Sequence, residues 1–333
     1  MNEMWKKAVI NLECATDSET VFEHLKRIDE LRERYIKKEI SSEEYMHQSE
    51  MRSRDIRFGG TAIFIIHNER RYLLTARHVL WDELSANREY QEELERNERL
   101  QQPLVGKDLT YASKKRLSRI FNIIFRVPSL DEVMAGDVFK LPKFLMNLGA
   151  GVSTCHPYTF STPDLDLAII SLDQRNNDFA DELISMGYTP IPSGLIGDGP
   201  SEEGAEVFSV GFPGATSLIT QIAQHPANAK WSSSNVSLPV FSWGRVSMLH
   251  QALPFYWCDL SIYPGNSGGP LIENGKLVGI VSAQAILPLE GAPQLMTRIP
   301  FGKIIKAEFV KCLLNEQEAK DKTHYDLTQS RDV

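Results

Sequence analysis

Residues 58–66 read Phe-Gly-Gly-Thr-Ala-Ile-Phe-Ile-Ile, the first of several short runs that narrow the fold class sharply. β-Branched and aromatic side chains of this kind suit a pleated strand. His67-Asn68-Glu69-Arg70 supplies a turn, and Arg71-Tyr72-Leu73-Leu74-Thr75 returns as the second strand of a hairpin. Strand signals resume at Leu165 to Leu172, Val207 to Val210, Val240 to Ser247, Trp257 to Ile262 and Leu277 to Ser282. Turns such as Gly211-Phe212-Pro213-Gly214 separate them. Short strands punctuated by Gly and Pro predict an all-β barrel or sandwich.

Helical periodicity flanks and interrupts this pattern. Residues 1–53 read as a helical arm. Thr16-Asp17-Ser18-Glu19 has the capping-box pattern, and Val21, Leu25, Ile28, Leu31 and Tyr35 draw one apolar stripe. Ser41-Ser42-Glu43-Glu44 repeats the box and starts a second helix. Such an arm either docks on the main domain or serves as a partner-binding or inhibitory element. The stretch from about 81 to 151 reads as a mostly helical insertion, and Ile304 to Leu314 as a last helix before a polar tail, 317–333. The main domain is then 54–316.

Composition excludes two function classes. With 36 Lys+Arg against 44 Asp+Glu the formal net charge is −8, and no long basic block offers a grip on nucleic acid. No apolar run approaches the ~20 residues of a membrane-spanning helix. The first residues lack the apolar core of an export signal, so the expected compartment is the cytoplasm, with Cys14, Cys155, Cys258 and Cys312 as free thiols.

The chemistry begins at Pro264-Gly265-Asn266-Ser267-Gly268-Gly269-Pro270. A nucleophilic serine needs a tight turn that presents its hydroxyl and aims backbone N–H groups at a developing oxyanion. It also needs a general base, and that base needs an orienting partner. This loop resembles the nucleophile loop of the chymotrypsin-like (trypsin-like) serine peptidases. Leu73-Leu74-Thr75-Ala76-Arg77-His78 resembles the family's histidine motif, in which a strand ends in Thr-Ala-x-His. Asp166, followed by Leu167-Ala168, resembles the family's Asp-Leu-Ala motif; Asp164, two residues earlier and on the same face of an extended segment, competes for that role. The order His78, Asp166, Ser267 matches the chymotrypsin family and differs from that of subtilisin and the α/β-hydrolases.

The resemblance covers about residues 57–310 and implies two antiparallel six-stranded β-barrels with the triad at the cleft between them. It implies an oxyanion hole formed by the N–H groups of Gly265 and Ser267, and a substrate pocket near Ser261, Ser282, Ala283 and Gln284. Ser282, 15 residues after Ser267, also stands where the family often has a serine bonded to the triad aspartate. Ser261 supplies no acid at the pocket base, so cleavage after Lys or Arg is not expected. The Gly-Phe-Pro turn at 211–213 is similar to bacterial HtrA-type domains, with no room for a PDZ domain after Leu314. Asn266 replaces the aspartate of zymogen-activated members, so control is expected from the helical additions or a protein partner rather than N-terminal cleavage. Cys155-His156 lacks the paired ligands of a zinc site, and Gly194 to Gly199 lacks the Lys-Ser/Thr of a phosphate loop. No metal or cofactor is expected, and the partner is a protein or peptide substrate.

Overall fold

The computed structural model describes residues 2–17, 21–50, 54–81, 88, 91–92, 94–96, 121–124, 157–173, 179–185, 187–221 and 235–329. The first half contains α1 (Asn2–Ala8), β1 (Val9–Asp17), α2 (Val21–Ile36), α3 (Ser42–Glu50), β2 (Arg54–His67), β3 (Arg70–Ala76), α4 (Arg77–Leu80), β4 (Phe121–Ile124), β5 (Tyr158–Phe160), β6 (Leu167–Ser171), α5 (Phe179–Ser185) and β7 (Ile191–Pro192). Its strands form one sheet in the order β4-β1-β2-β3-β6-β5, with β7 paired in parallel to β2. The second half contains β8 (Glu206–Gly211), α6 (Gly214–Ser217), β9 (Leu218–Gln221), β10 (Asn235–Ser237), β11 (Val240–Met248), β12 (Phe255–Asp259), β13 (Pro270–Glu273), β14 (Lys276–Leu289), β15 (Ala292–Lys306) and α7 (Glu308–Gln329). Six of these strands close a barrel, β11-β12-β15-β14-β13-β8. The chain is thus mostly β, with one closed barrel. The second closed barrel expected from the sequence is, among the described residues, a seven-stranded sheet that does not close.

The sheet is buried on both faces, which explains its unbroken apolar runs. Ile63 and Ile65 of β2, Tyr72 and Leu74 of β3 and Leu167 and Ile169 of β6 pack with Phe208, Val210, Ile280 and Ile305 of the barrel. Their alternating neighbours Ala62, Phe64, Leu73, Ala168 and Ile170 face a second cluster with Val79, Leu80 and Leu183. Period-two alternation therefore feeds two cores from the same strands. The barrel interior holds a third, with Val207, Tyr256, Cys258, Leu271 and Val281. Burial pushes the Cys258 thiol up to about 12, so it stays a protonated packing group.

Three expectations need correction. Residues 9–17 of the supposed helical arm are a strand, paired with β2 from Val9↔Ile63 to Asp17↔Arg54. Val9 faces one core and Ile10 and Leu12 the other, and so short an apolar run does not distinguish strand from helix by period. Thr16 and Asp17 of the first capping box lie in that strand, while Ser18 and Glu19 lie outside the described residues. The second box forms: Ser41 N–H donates to Glu44 Oε2 at 2.8 Å and Glu44 N–H to Ser41 Oγ at 3.1 Å. Hydrogen bonding from the Ser41 backbone N–H, and then from the Ser41 side chain, holds the Glu44 carboxyl below its ordinary range. Within the supposed helical insertion, residues 88, 91–92 and 94–96 are helical, but β4 is a strand paired with β1. The rest of 82–156 lies outside the described residues.

The third correction concerns the end of the chain. β15 runs to Lys306, and α7 starts at Glu308 and continues through the supposed tail to Gln329. Gln317 and Asp321 are fully buried. Asp321 Oδ2 accepts from Ser171 Oγ at 2.9 Å and Tyr72 Oη at 3.3 Å, and Oδ1 accepts from Gln317 Nε2 at 2.9 Å. Arg70 Nη1 stands 3.8 Å from Oδ2. Gln317 Oε1 accepts from Thr159 Oγ1 at 2.7 Å. The helix thus ties β3, β5 and β6 together through polar groups, which is why no apolar stripe announces it.

Burial raises the Asp321 carboxyl above its ordinary range, outweighing the hydrogen bonds that favour its ion. A native state that holds this proton more tightly than the unfolded chain loses stability as pH rises from the ordinary aspartate range through the raised value. Asp321→Asn is expected to remove that decline, so its urea midpoint should gain on wild type as pH rises and then level off. Denaturation of both proteins across the acid-to-neutral range checks this.

Candidate active site

The pairing of β3 with β6 sets the first half of the site. Ala76↔Leu167 is the last pair of the register, so the residues just past it, His78 on α4 and Asp166 before β6, emerge side by side. Asp166 is in the left-handed region, φ 46°, at the end of a turn in which Thr162 O accepts from the N–H groups of Leu165 and Asp166, both at 3.1 Å. The segment is therefore not extended, and Asp164 is exposed rather than sharing a face with Asp166. Asp166 O accepts from Arg77 N–H at 2.9 Å. Its Oδ1 accepts from His78 N–H at 3.0 Å, and its Oδ2 lies 2.8 Å from His78 Nδ1. An imidazole held this way keeps its Nδ1 proton toward the carboxylate and offers Nε2 as a base. The His78 ring is 46% exposed and the Asp166 side chain 14%, so the base can be reached while its partner is sheltered.

The barrel supplies the second half. Ser267 sits in the turn between β12 and β13, where two glycines have no substitute. Gly265 has φ 103°, and a Cβ there would stand 2.1 Å from Phe212 O; Gly268 has φ 85°, with Thr61 O and Thr75 Oγ1 both 2.2 Å from the same imagined atom. Asn266 is buried, and its carbonyl accepts from Gly269 N–H at 2.8 Å. Among the described residues the N–H groups of Gly265 and Ser267 donate to no backbone acceptor. Ser267 Oγ donates to Ser282 O at 3.2 Å, and no hydrogen bond joins it to His78 Nε2. Ser282 is buried and its hydroxyl donates to Asp166 Oδ2 at 2.6 Å. Its side chain is thus held by Asp166. Of the other residues expected at a substrate pocket, Ser261 and Ala283 are exposed. Gln284 Nε2 donates to Ile299 O at 3.1 Å, while its Oε1 is buried without a partner.

One residue that sequence reasoning passed over joins the halves. Thr61 of β2 is fully buried. Its N–H donates to Ser267 O at 2.8 Å, its Oγ1 donates to Gly265 O at 2.8 Å and accepts from Phe212 N–H at 3.1 Å, and its O accepts from Thr75 Oγ1 at 2.8 Å. The only signal for it was its place beside Gly59-Gly60 in the first strand. No described group of three or more His, Cys, Asp or Glu could hold a metal ion, and no described helix is long and apolar enough to cross a membrane.

A sheltered carboxylate against a half-exposed imidazole, bridged through Ser282 to a glycine-framed serine, is the set of groups that serine hydrolysis requires. The model of the trypsin-like peptidase domain family matches residues 60–280, a span that includes His78, Asp166 and Ser267, and the chain belongs to that family. No curated protein sequence matches it. Similar solved structures include human heparin binding protein, at 13% identity over 77% of this chain and 85% of that one, TM-score 0.35. Catalytically active tobacco etch virus protease complexed with product shows 10% identity over 92% and 75%, TM-score 0.39. Neuropsin, a serine protease expressed in the limbic system of mouse brain, shows 11% over 78% and 88%, TM-score 0.38. These likenesses are too low for any of the three to lend its own chemistry to this chain.

Replacing Thr61 by Val keeps the shape but strands Gly265 O and Phe212 N–H in a buried place. The expected cost is about 1–3 kcal/mol for each group left without a partner. Urea unfolding of Thr61→Val should show it, and any activity of Ser267 should fall as the loop loses its anchor.

Proposed function

We propose that this chain is a serine endopeptidase that cuts peptide bonds through an acyl-enzyme. Ser267 Oγ attacks the scissile carbonyl carbon and passes its proton to His78 Nε2. The oxyanion is held by the N–H groups of Gly265 and Ser267. The C–N bond then breaks, and His78 returns the proton to the leaving amine. Water, deprotonated by the same imidazole, releases the acid and restores the serine. Asp166 keeps the imidazole in the tautomer the first step requires and stabilises its cation. The observation that supports this most is the Asp166 carboxylate, which accepts from His78 Nδ1 and from Ser282 while Ser282 O meets the Ser267 hydroxyl. Catalysis on this reading requires the hydroxyl to turn from Ser282 O to His78 Nε2, at the cost of a neutral hydrogen bond worth about 1 kcal/mol net.

That same bond favours a second reading, a catalytically silent homologue that uses the fold to bind proteins. A fluorophosphonate probe separates the two. Wild type should be labelled and Ser267→Ala should not. Asp166→Asn should keep the fold but lower peptidase kcat on the order of 10^4-fold. A wild-type protein that is folded and never labelled, with or without residues 18–53, would favour the silent scaffold.

Control by the helical additions is part of the proposal. α2 and α3 pack on each other, with the Tyr35 and Tyr45 rings stacked at 5.4 Å between centroids. Because β1 belongs to the sheet, the element to remove is the helical pair alone. Asp17 pairs directly with Arg54, so a short turn can replace 18–53. If the pair restrains the site, or receives a protein partner that releases it, this variant should cut peptides faster than wild type. Equal rates would count against a gate there.

A further inference from the structure

The turn 161–166 aims Asp166, and it stands in the open. Its base is closed by Ser161 N–H donating to Leu167 O at 2.9 Å and by Leu167 N–H donating to Ser161 Oγ at 2.8 Å. Thr162, Pro163 and Asp164 at its crown are exposed. A turn of this kind that carries a left-handed aspartate persists only where its surroundings hold it.

Arg77 holds it at both ends. Its N–H donates to Asp166 O at 2.9 Å, and its Nη1 donates to Ser161 O at 3.2 Å. Its guanidinium carbon also lies 5.2 Å from the centroid of the Trp81 ring. Trp81 N–H donates to Arg77 O at 2.9 Å, which closes the single turn of α4 and brings residues 77 and 81 to the same side. Trp81 is buried, so the attraction of a cation for its face is less screened than on an open surface. The indole meets Phe160 edge-on, with centroids 5.1 Å apart and planes at 70°, and Phe160 stacks on Tyr158 of β5 at 6.1 Å. Phe160 directly precedes Ser161. Arg77, Ser161, Phe160 and Trp81 thus form a closed circuit, and both His78 and Asp166 are attached to it.

We propose that the Arg77 side chain is a positioning residue: it pins the Asp166 turn to the helix that carries His78 and so fixes the carboxylate against Nδ1. In the Thr-Ala-x-His pattern Arg77 fills the unspecified place, so this role comes from the contacts of this chain alone. The geometry also explains the choice of arginine. The side chain must cover an indole face while an N–H reaches a carbonyl beside it. A planar guanidinium does both, whereas an ammonium offers a single point of charge. The hold on the turn stands without the peptidase reading; its effect on rate rests on that reading.

Arg77→Ala and Arg77→Lys test the proposal with two independent readouts. Amide hydrogen exchange on a fragment spanning 161–167 should quicken in both variants, while β12, in the barrel, keeps its wild-type protection. Peptidase kcat of Arg77→Ala should fall roughly 10- to 100-fold, with KM within about twofold of wild type. The acidic limb of its kcat/KM profile should move to lower pH, because an imidazolium that loses its carboxylate partner gives up its proton more readily. Removing a nearby positive charge and nothing else would move that limb to higher pH. Arg77→Lys keeps the charge without the flat fork and should stay about 5-fold or more below wild type in kcat. Full turnover in Arg77→Lys, or a limb displaced to higher pH in Arg77→Ala, would reduce Arg77 to a charge and overturn the proposal. Unchanged exchange at 161–167 would overturn it as well. Where Arg77→Ala does not fold, Arg77→Lys alone decides. If wild type neither reacts with the fluorophosphonate nor cuts peptides, the peptidase reading fails, and exchange alone decides whether Arg77 holds the turn.

Discussion

The Asp166 carboxylate accepts hydrogen bonds from both halves of the molecule, and the site exists only where they meet. His78 N–H and Nδ1 come from the sheet, and Ser282 Oγ comes from the barrel. A charge accepting three donors is strongly held, and removing any one of them would leave part of it unsatisfied in a sheltered place. The left-handed backbone at Asp166 is the strained piece that aims it, and that strain is tolerated because its carbonyl is fixed by Arg77 N–H and its own N–H by Thr162 O. Thr61 performs the matching task one layer away, locking the nucleophile turn to β2 and β2 to β3. Between them, these two residues convert the packing of sheet on barrel into a geometry of side chains.

The chemistry was legible in the sequence because its residues are set by backbone demands that few amino acids meet. Gly265 and Gly268 cannot be anything else where they stand, and His78 follows a strand whose apolar alternation is plain. Leu167 and Ala168 mark Asp166 rather than Asp164 in the sequence, and the contact with His78 lies with Asp166. What escaped was decided by tertiary partners. β1 is a strand because β2 offers an edge, not because residues 9–17 prefer one. The C-terminal half of α7 is helix because Ser171, Tyr72 and Thr159 give its polar groups somewhere to go. The direction of the Ser267 hydroxyl is a rotamer, and no sequence pattern encodes it.

The sheet depends on segments far apart in the chain. Trp5 and Val9 share one core with Val310, Leu313 and Leu314, and Asp321 closes the polar belt on β3 and β6. His78 and Asp166 thus flank strands β3 and β6, whose outer support is contributed some 150 residues or more later in the sequence. On the ribosome, where a chain grows from its first residue, both would emerge well before the helix that braces them. The neighbourhood of His78 and Asp166 therefore gains its outer brace only once α7 has been made.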